Sequence, residues 1–289
     1  MKPSPDPGFF SEQIAEAARF HFDPAPPEKT SLAVVSGGRE HCSPDYEIHR
    51  KSFPLRGIEF VAQGRGRVDF GKRSFQILPG SVFSYGPRTP HDIVTDASDP
   101  LVKYFVDFTG SRAASLLRRH GPAPGTVIQT SSPGEIMALF DDLIRNGQSH
   151  TPFSGRIAAI ILEHLLLKIA ETSIPNGSSG SPAFATYRRC RQHIEDHWAE
   201  LDSLGQAASS CNVAPAYLCR LFRRFDRQSP YQFLLRLKVN HAAERLLSGE
   251  ASVADIAGEL RFADPFHFSR VFRKIMGIAP SRFVRLSGR

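Results

Sequence analysis

The chain has few of the features that mark membrane, secreted and metal-binding proteins. It has four cysteines, Cys42, Cys190, Cys211 and Cys219, and no two of them stand at the short spacing of a zinc site. No apolar run is long enough to cross a membrane, and the proline-rich start lacks the apolar core of a secretion signal. These absences predict reduced thiols, no membrane partner and a cytoplasmic protein.

The net charge of +7 is not spread evenly along the chain. Residues 184–289 hold 17 Lys and Arg against 10 Asp and Glu, whereas residues 1–183 hold 19 of each. A basic excess confined to one region is typical of a nucleic-acid-binding module. The alternative is a solvated basic surface without a partner.

The first part of the chain alternates between helical and strand-like patterns. Residues 9–22 resemble a short amphipathic helix. Residues 31–108 contain short apolar runs separated by Gly and Pro, which predicts an antiparallel sandwich or barrel. Within it, the alternation of Ile58, Phe60 and Ala62 with Glu59, Val61 and Gln63 predicts a strand buried on one face. Residues 153–172 are helical and apolar on two sides, so they pack on the sheet domain and either stay within it or also meet a second subunit.

Residues 173–183 are rich in Gly, Ser and Pro and show no apolar period, which predicts a flexible linker. The charge balance changes at the same place. We therefore predict a first domain over residues 1–172 and a second over residues 184–289.

The second domain contains an internal repeat at an offset of 50 residues. Each copy begins with a proline, combines an apolar stripe with basic residues, and ends at a second proline. The matched pairs are Pro215 and Pro265, Leu218 and Phe268, Arg220 and Arg270, Leu221 and Val271, Phe222 and Phe272, Arg223 and Arg273, Arg224 and Lys274, Pro230 and Pro280, and Phe233 and Phe283.

Each copy follows a short helix and a tight turn. Asn212 is suited to a left-handed turn conformation, and Pro215 to the first turn of a helix. In the second copy Ser252 and Asp255 form a pattern typical of a capping box, and Asp264 is placed to cap the next helix. Short helix, turn and basic helix together predict two helix-turn-helix units. The alternative is a helical bundle in which the arginines contribute only to solubility.

The segments YLCRLFRRF (217–225), KVNHAAERLL (238–247), SVADIAGELRF (252–262), FHFSRVFRK (266–274) and GIAPSRF (277–283) resemble the DNA-binding domain of the AraC/XylS family of transcriptional regulators. The resemblance covers about one hundred residues. It implies that the second helix of each unit enters a major groove. The positions that match the base-reading residues are Ala216, Cys219, Arg220, Pro265, Phe266, His267 and Arg270. Arg220 and Arg270 are expected to supply most of the hydrogen-bonded reading, because their neighbours are small or apolar.

Other basic residues are assigned to the DNA backbone. The predicted phosphate contacts are Arg223, Arg224, Arg227, Arg273, Lys274 and Arg282. Arg227 and Arg261 stand where the family usually has glycine, and Ala214 stands where a capping serine is common.

Residues 57–93 resemble the cupin-type sensor barrel that precedes this domain in many members of the family. Catalytic cupins supply two nearby histidines and a carboxylate from one hairpin, but the comparable hairpin from Glu59 to Gly71 has no histidine. We therefore expect no metal and no cofactor. His91 is interpreted as a structural residue at a strand end or, together with Tyr85, as an effector contact.

The sequence thus predicts an α+β protein: a cupin-like antiparallel β-barrel with helices, followed by an all-α tandem helix-turn-helix domain. The predicted function is sequence-specific regulation of transcription rather than catalysis, with activation implied more often by the resemblance. The expected partners are double-stranded promoter DNA, RNA polymerase, a small-molecule effector and a second copy of the chain. Two alternatives are a cupin enzyme with a basic tail and a non-specific architectural DNA binder.

Overall fold

The computed structural model of the protein describes residues 10–22, 30–174, 181–226, 228–249 and 251–286. The chain divides into two compact units, Met1–Asn176 and Gly177–Arg289. Among the described residues, no helix is long and apolar enough to cross a bilayer.

The first unit is built from antiparallel strands and confirms the predicted β-rich domain. They form one sheet in the order β1-β2-β9-β4-β7-β10-β11 and a second in the order β3-β8-β5-β6. The strands are β1 (Ile14–His21), β2 (Ala33–Cys42), β3 (Glu47–Arg50), β4 (Arg56–Gln63), β5 (Gly66–Phe70), β6 (Arg73–Ile77), β7 (Ser81–Tyr85), β8 (His91–Thr95), β9 (Val102–Thr109), β10 (Thr126–Thr130) and β11 (Ser173–Ile174).

Three helices cover one face of the larger sheet: α1 (Ala113–His120), α2 (Pro133–Gln148) and α3 (Ser154–Thr172). Strand β4 is therefore buried on both faces, and the prediction of a single buried face is wrong. Ile58 and Phe60 pack under the helices, whereas Val61 belongs to the core that also holds Phe83 and Tyr85. The sequence pattern missed the second buried face because the polar residue Glu59 lies on it.

The segment predicted to be an amphipathic helix is strand β1. It pairs antiparallel with β2 from Ile14 to His21, at the end of the larger sheet. The Phe20 ring packs against α2, where a Cβ at Gly147 would lie 2.2 Å from the ring. Hydrogen bonding to β2 and this tertiary contact outweigh the helical spacing of the short segment.

The predicted linker is shorter than residues 173–183. Ser173 and Ile174 form strand β11 by pairing with β10, and Ser181 caps a helix that begins at Pro182. The residues between them, 175–180, lie outside the described residues.

The second unit is helical throughout its regular structure, as predicted. Its helices are α4 (Pro182–His197), α5 (Leu204–Ser210), α6 (Pro215–Phe225), α7 (Pro230–Ser248), α8 (Val253–Glu259), α9 (Pro265–Met276) and α10 (Pro280–Leu286). Helix α7 joins two helix-turn-helix cores. Phe233, near its start, contacts the Phe222 ring of the first. Further along α7, the buried residues Val239, Ala242, Ala243 and Leu246 belong to the core around Phe268 and Phe272. At about 1.5 Å per residue its 19 residues span roughly 28 Å.

Candidate DNA interface and ligand cavity

The first helix-turn-helix unit consists of α5, a tight turn and α6. The Ser203 hydroxyl caps α5 by accepting from the Gln206 N–H. Asn212 has φ of 53°, which confirms its predicted left-handed conformation, and the Val213 N–H donates to the Ala208 carbonyl at 3.0 Å. The turn therefore satisfies the end of α5 as α6 starts at Pro215.

The second helix-turn-helix unit repeats this arrangement with α8 and α9. Both halves of the predicted capping box at Ser252 and Asp255 are present. Arg261 has φ of 56°, and the Phe262 N–H donates to the Ala257 carbonyl at 2.9 Å. The Asp264 carboxylate accepts from the His267 N–H at 2.6 Å, which confirms the predicted cap. Ala214, at the same place before α6, makes no side-chain cap.

In each helix-turn-helix unit, the apolar stripe of the second helix, α6 or α9, packs into the core of that unit. Leu218, Leu221, Phe222 and Phe225 of α6 are buried, as are Phe268 and Phe272 of α9. The opposite faces carry the exposed basic residues Arg220, Arg223 and Arg224 on α6, and Arg270, Arg273 and Lys274 on α9. Burial thus fixes the rotation of both helices about their axes and presents the basic residues to solvent.

The predicted base-reading residues lie at the starts and on the outer faces of α6 and α9. Ala216, Arg220, Pro265, Phe266 and Arg270 are exposed, whereas Cys219 and His267 are half-buried. The Arg220 guanidinium lies 5.5 Å from the centroid of the Tyr217 ring, and the His267 ring contacts Phe262 edge-on. The two half-buried residues therefore offer less surface to a partner than the sequence indicated.

The predicted phosphate contacts are also accessible where the structure describes them. Arg282 is exposed on α10, in addition to the basic residues of α6 and α9. Arg227 lies outside the described residues.

The first unit holds a buried ion-pair network that the sequence analysis missed. The Lys103 ammonium lies 2.8 Å from Glu40 Oε2 and 3.0 Å from Glu59 Oε2. Arg19 pairs with the other oxygen of Glu40 at 2.7 Å. Burial alone lowers the pKa of Lys103, but the Glu40 and Glu59 carboxylates outweigh it and hold the pKa well above its ordinary value. The buried charges of Lys103, Glu40 and Glu59 therefore stabilise one another inside the fold.

Tyr85 and His91 lie on the edge of this network. The Tyr85 hydroxyl donates to Glu59 Oε1 at 2.9 Å, and the Tyr85 ring stacks on the His91 ring with centroids 4.0 Å apart. His91 is buried, its Nδ1 lies 3.0 Å from the Thr89 carbonyl, and burial lowers its pKa. Of the two predicted effector contacts, Tyr85 faces the cavity described next and His91 lies behind it.

A small recess of about 20 Å³, room for about one water molecule, opens between the strands at this network. Its lining residues are Phe10, Ser11, Glu40, Tyr46, Ile48, Arg50, Glu59, Tyr85, Lys103, Phe105 and Asp107. Asp107 accepts a hydrogen bond from the Ser36 hydroxyl through Oδ2 at 2.8 Å, while its Oδ1 is buried without a hydrogen-bond partner. Burial raises the pKa of Asp107 to about 7.

A signal for this cavity was present in the sequence. Glu59 and Asp107, together with Lys103, interrupt the apolar strands GIEFVAQG and LVKYFVDFTG. Charged residues inside strands that are otherwise apolar mark an interior polar site once both faces of the sheet are known to be buried. Within the described part of the chain, no group of three His, Cys, Asp or Glu side chains is placed to hold a metal ion.

Comparison with known proteins finds matches to both units of the chain. A family model described as an AraC-like ligand binding domain matches residues 34–166, and a helix-turn-helix domain model matches residues 207–286. The arabinose operon regulatory protein of Salmonella typhimurium is 30% identical over 236 residues, which cover 78% of this chain and 82% of that protein.

The chain belongs to the AraC/XylS family of transcriptional regulators. Other relatives are the MmsAB operon regulatory protein of Pseudomonas aeruginosa, 24% identical over 89% of this chain and 84% of that protein, and the Msm operon regulatory protein of Streptococcus mutans, 21% identical over 87% and 92%. This family member is a DNA-binding transcription regulator with an N-terminal ligand-binding domain.

Proposed function

We propose that this regulator binds promoter DNA by placing α6 and α9 in two successive major grooves. The observation that carries the proposal is that both helices expose an arginine, Arg220 or Arg270, four residues after an exposed small or apolar residue. Each helix is held by a buried aromatic core and a defined turn. An arginine in a major groove reads guanine through paired hydrogen bonds.

The exposed basic residues beyond Arg220 and Arg270 are proposed to bind phosphates. Arg223 and Arg224 follow Arg220 on α6, and Arg273 and Lys274 follow Arg270 on α9. Contacts to phosphate fix the register of a protein on DNA without reading its sequence. Arg282 on α10 would add a contact outside the grooves.

In vitro selection from random duplex DNA with the full-length protein tests this proposal. We expect a site with two conserved elements about one helical turn, roughly 10 base pairs, apart. Binding to that site should exceed binding to bulk DNA by about 10³ or more at physiological salt. Equal affinity for all sequences would instead show a non-specific architectural binder.

We propose that the recess in the first unit is the site of a small-molecule effector that carries hydrogen-bonding groups. Because the recess encloses only about 20 Å³, side chains around it must move apart to admit the effector. Lys103 is already engaged by two carboxylates, whereas Asp107 Oδ1 is a buried acceptor without a partner. A buried carboxyl oxygen of this kind is costly to leave unpaired. A ligand hydroxyl can donate to it when Asp107 is ionised and accept from it when Asp107 is protonated, so a ligand that carries hydroxyl groups fits both states, whereas an acid fits only one. The names of relatives refer to the arabinose and raffinose operons, which favours a polyhydroxylated ligand.

Thermal unfolding of the full-length protein in the presence of neutral polyols, sugars and matched carboxylic acids tests the effector proposal. A binding polyol should raise the unfolding temperature, and Asp107→Ala should abolish the increase. Stabilisation by the acids but not by the polyols would contradict it.

We propose that α3 pairs with α3 of a second copy. Its exposed face carries Ile157, Ile160, His164 and Leu167. Together with the N-cap residue Phe153 they form what we call the α3 stripe, at alternating spacings of four and three residues. The exposed fractions are 69% for Phe153, 42% for Ile157, 62% for Ile160 and 52% for Leu167. This spacing is that of a coiled-coil seam, and the opposite face of α3 already packs on its own unit.

Charge favours an antiparallel arrangement of the two helices. With Ile160 on the two-fold axis, Phe153 meets Leu167 of the second copy. Arg156 of each copy then lies beside Glu163 of the other, which gives two pairs on one flank of the seam, one on each side of the axis. A parallel pair would bring the two His164 rings together and place Arg156 beside Ile161. It would match only Glu163, with Lys168, whose ammonium already pairs with Glu135 and Glu171 of its own copy.

We further propose that the protein contacts RNA polymerase at a promoter, usually to activate transcription, and that it acts in the cytoplasm where its DNA target lies. The match to an AraC-like ligand binding domain supports sensing rather than catalysis. Transcription in vitro with purified polymerase and a selected promoter tests the activating role, since an unchanged or reduced transcript level would contradict it.

A further inference from the structure

Phe266 is the most exposed large apolar side chain among the described residues, with 79% of its surface accessible. It is the second residue of α9, directly after Pro265, and the Asp264 carboxylate fixes this turn by accepting from the His267 N–H. Two residues later, the Phe268 side chain is fully buried. The backbone that carries Phe266 is therefore rigid, while its ring contributes nothing to the core.

The surroundings of Phe266 are basic. Arg270 follows it by four residues, a spacing that brings side chains together on one face of a helix. Arg273 and Lys274 are exposed in the next turn. An apolar ring on such a cationic surface is suited to a polyanion that also presents an apolar group, rather than to an apolar protein surface.

We propose that Phe266 recognises a thymine through its C5-methyl group, next to the base read by Arg270. This rests on the proposed entry of α9 into the major groove. The thymine methyl is the apolar group that base edges present there, and apolar side chains contact it directly. Recognition of this base would be encoded by shape rather than by a hydrogen bond.

The first helix-turn-helix unit carries the same arrangement with a smaller apolar side chain. Ala216 occupies the equivalent position on α6, four residues before Arg220, and is also exposed. Its single methyl group covers far less surface than a phenyl ring. The two halves of the DNA site should therefore differ, and the half bound by α9 should depend more on a thymine.

Replacement of single thymines by uracil tests the proposal, because it removes only the methyl group. The full-length protein is bound to its selected site and to variants that carry uracil at one thymine each. At one thymine in the α9 half, uracil should weaken binding about fourfold, the factor expected for one buried methyl group. Phe266→Ala should abolish this difference, and Phe266→Leu should keep part of it.

Leu247→Ala is a control, because it removes another exposed apolar side chain of the DNA-binding unit, from α7 rather than α9, and should leave the ratio of thymine to uracil affinity unchanged. A uracil penalty that persists in Phe266→Ala would overturn the proposal. So would a loss of affinity in that variant that is equal on all sequences and accompanied by reduced DNA bending, as expected of a wedge between bases. Failure to select any preferred sequence would instead overturn the proposed promoter binding itself.

Discussion

Arg270 and Lys274 lie one helical turn apart on α9, and both are exposed, yet we assign them different roles. The guanidinium is a planar group with several donors that match the edge of guanine, whereas the ammonium is a compact charge. The difference between reading a base and neutralising a phosphate is thus a property of single residues. It can be measured by comparing sequence dependence with salt dependence.

Arg270→Ala should weaken binding to the selected site by about 1–3 kcal/mol and remove the preference at one base pair. Lys274→Ala is the matched control on the same helix. It should weaken binding to all sequences alike and reduce the slope of log K against log salt by roughly one. Equilibrium titrations on site variants at several salt concentrations separate the two effects, and equal losses on every sequence for Arg270→Ala would refute base reading.

Asp107 predicts a dependence of stability on pH. Burial raises the pKa of Asp107 to about 7 in the folded protein, whereas an aspartate in an unfolded chain titrates near about 4. Because the folded pKa is the higher one, the folded state retains a proton that the unfolded chain has released. The resulting stabilisation is complete below about pH 4 and is lost as the pH rises through about 7.

Asp107→Asn removes this titration while the amide oxygen can still accept from Ser36. The free energy of unfolding of the wild-type protein should therefore fall relative to that of the variant by at most about 1.4 kcal/mol per pH unit across this window. Urea unfolding of the first unit, monitored by circular dichroism at several pH values, measures the difference. Asp45→Asn controls for the loss of one exposed carboxylate, and parallel curves for wild type and Asp107→Asn would contradict the assignment.

At the scale of secondary-structure elements, α6 and α9 differ in how their first turns are capped. Asp264 accepts from the His267 N–H, but Ala214 offers no acceptor before α6. An N-terminal cap contributes about 1 kcal/mol. Ala214→Ser should therefore stabilise the second unit by about that amount, and Asp264→Ala should destabilise it similarly.

Trp198 provides the readout for both substitutions, since it is the one tryptophan in the chain and packs on the core around Phe268. Urea unfolding followed by its fluorescence reports on the second unit. An Ala214→Ser variant that unfolds at the same urea concentration as wild type would show that the α6 amides are satisfied in another way.

How far each element could be predicted depends on how local its stabilising contacts are. The caps at Ser252 and Asp264 and the turn at Asn212 involve residues within five positions of each other, and the sequence was sufficient to find them. Strand β1 was misassigned because its hydrogen bonds go to β2, whose paired residues lie 15 to 28 positions ahead. The recess was missed for the same reason: Glu40, Glu59 and Lys103 meet only through cross-strand register.

At the scale of the whole molecule, pairing through the α3 stripe would place two DNA-binding units in one particle. Once one unit is bound, the second binds as an intramolecular event with a raised effective concentration. Contacts on α3 would thereby increase affinity for a repeated site without touching DNA. The antiparallel arrangement makes this dependence testable through its charges, because it matches Arg156 of one copy with Glu163 of the other.

Arg156→Glu should turn both interhelical pairs into pairs of like charge and weaken self-association, and Glu163→Arg should do the same. The double variant restores opposite charges with their positions exchanged, so its dimer should recover toward wild type. Exposed pairs contribute up to about 1 kcal/mol each, and two pairs per dimer predict a change of roughly tenfold or more in the dissociation constant. Analytical ultracentrifugation of the full-length protein measures it.

The double variant also loses the pair that Glu163 makes with Arg112 in the same copy, 3.1 Å apart. Arg112→Ala therefore serves as the control for that loss and should leave the dimer intact. Ile160→Glu tests the seam itself, because it places two carboxylates at the two-fold axis and should yield monomers. If Ile160→Glu associates as strongly as the wild-type protein, the α3 stripe is not the dimer contact. If the double variant is no better than either single variant, the helices do not pair antiparallel.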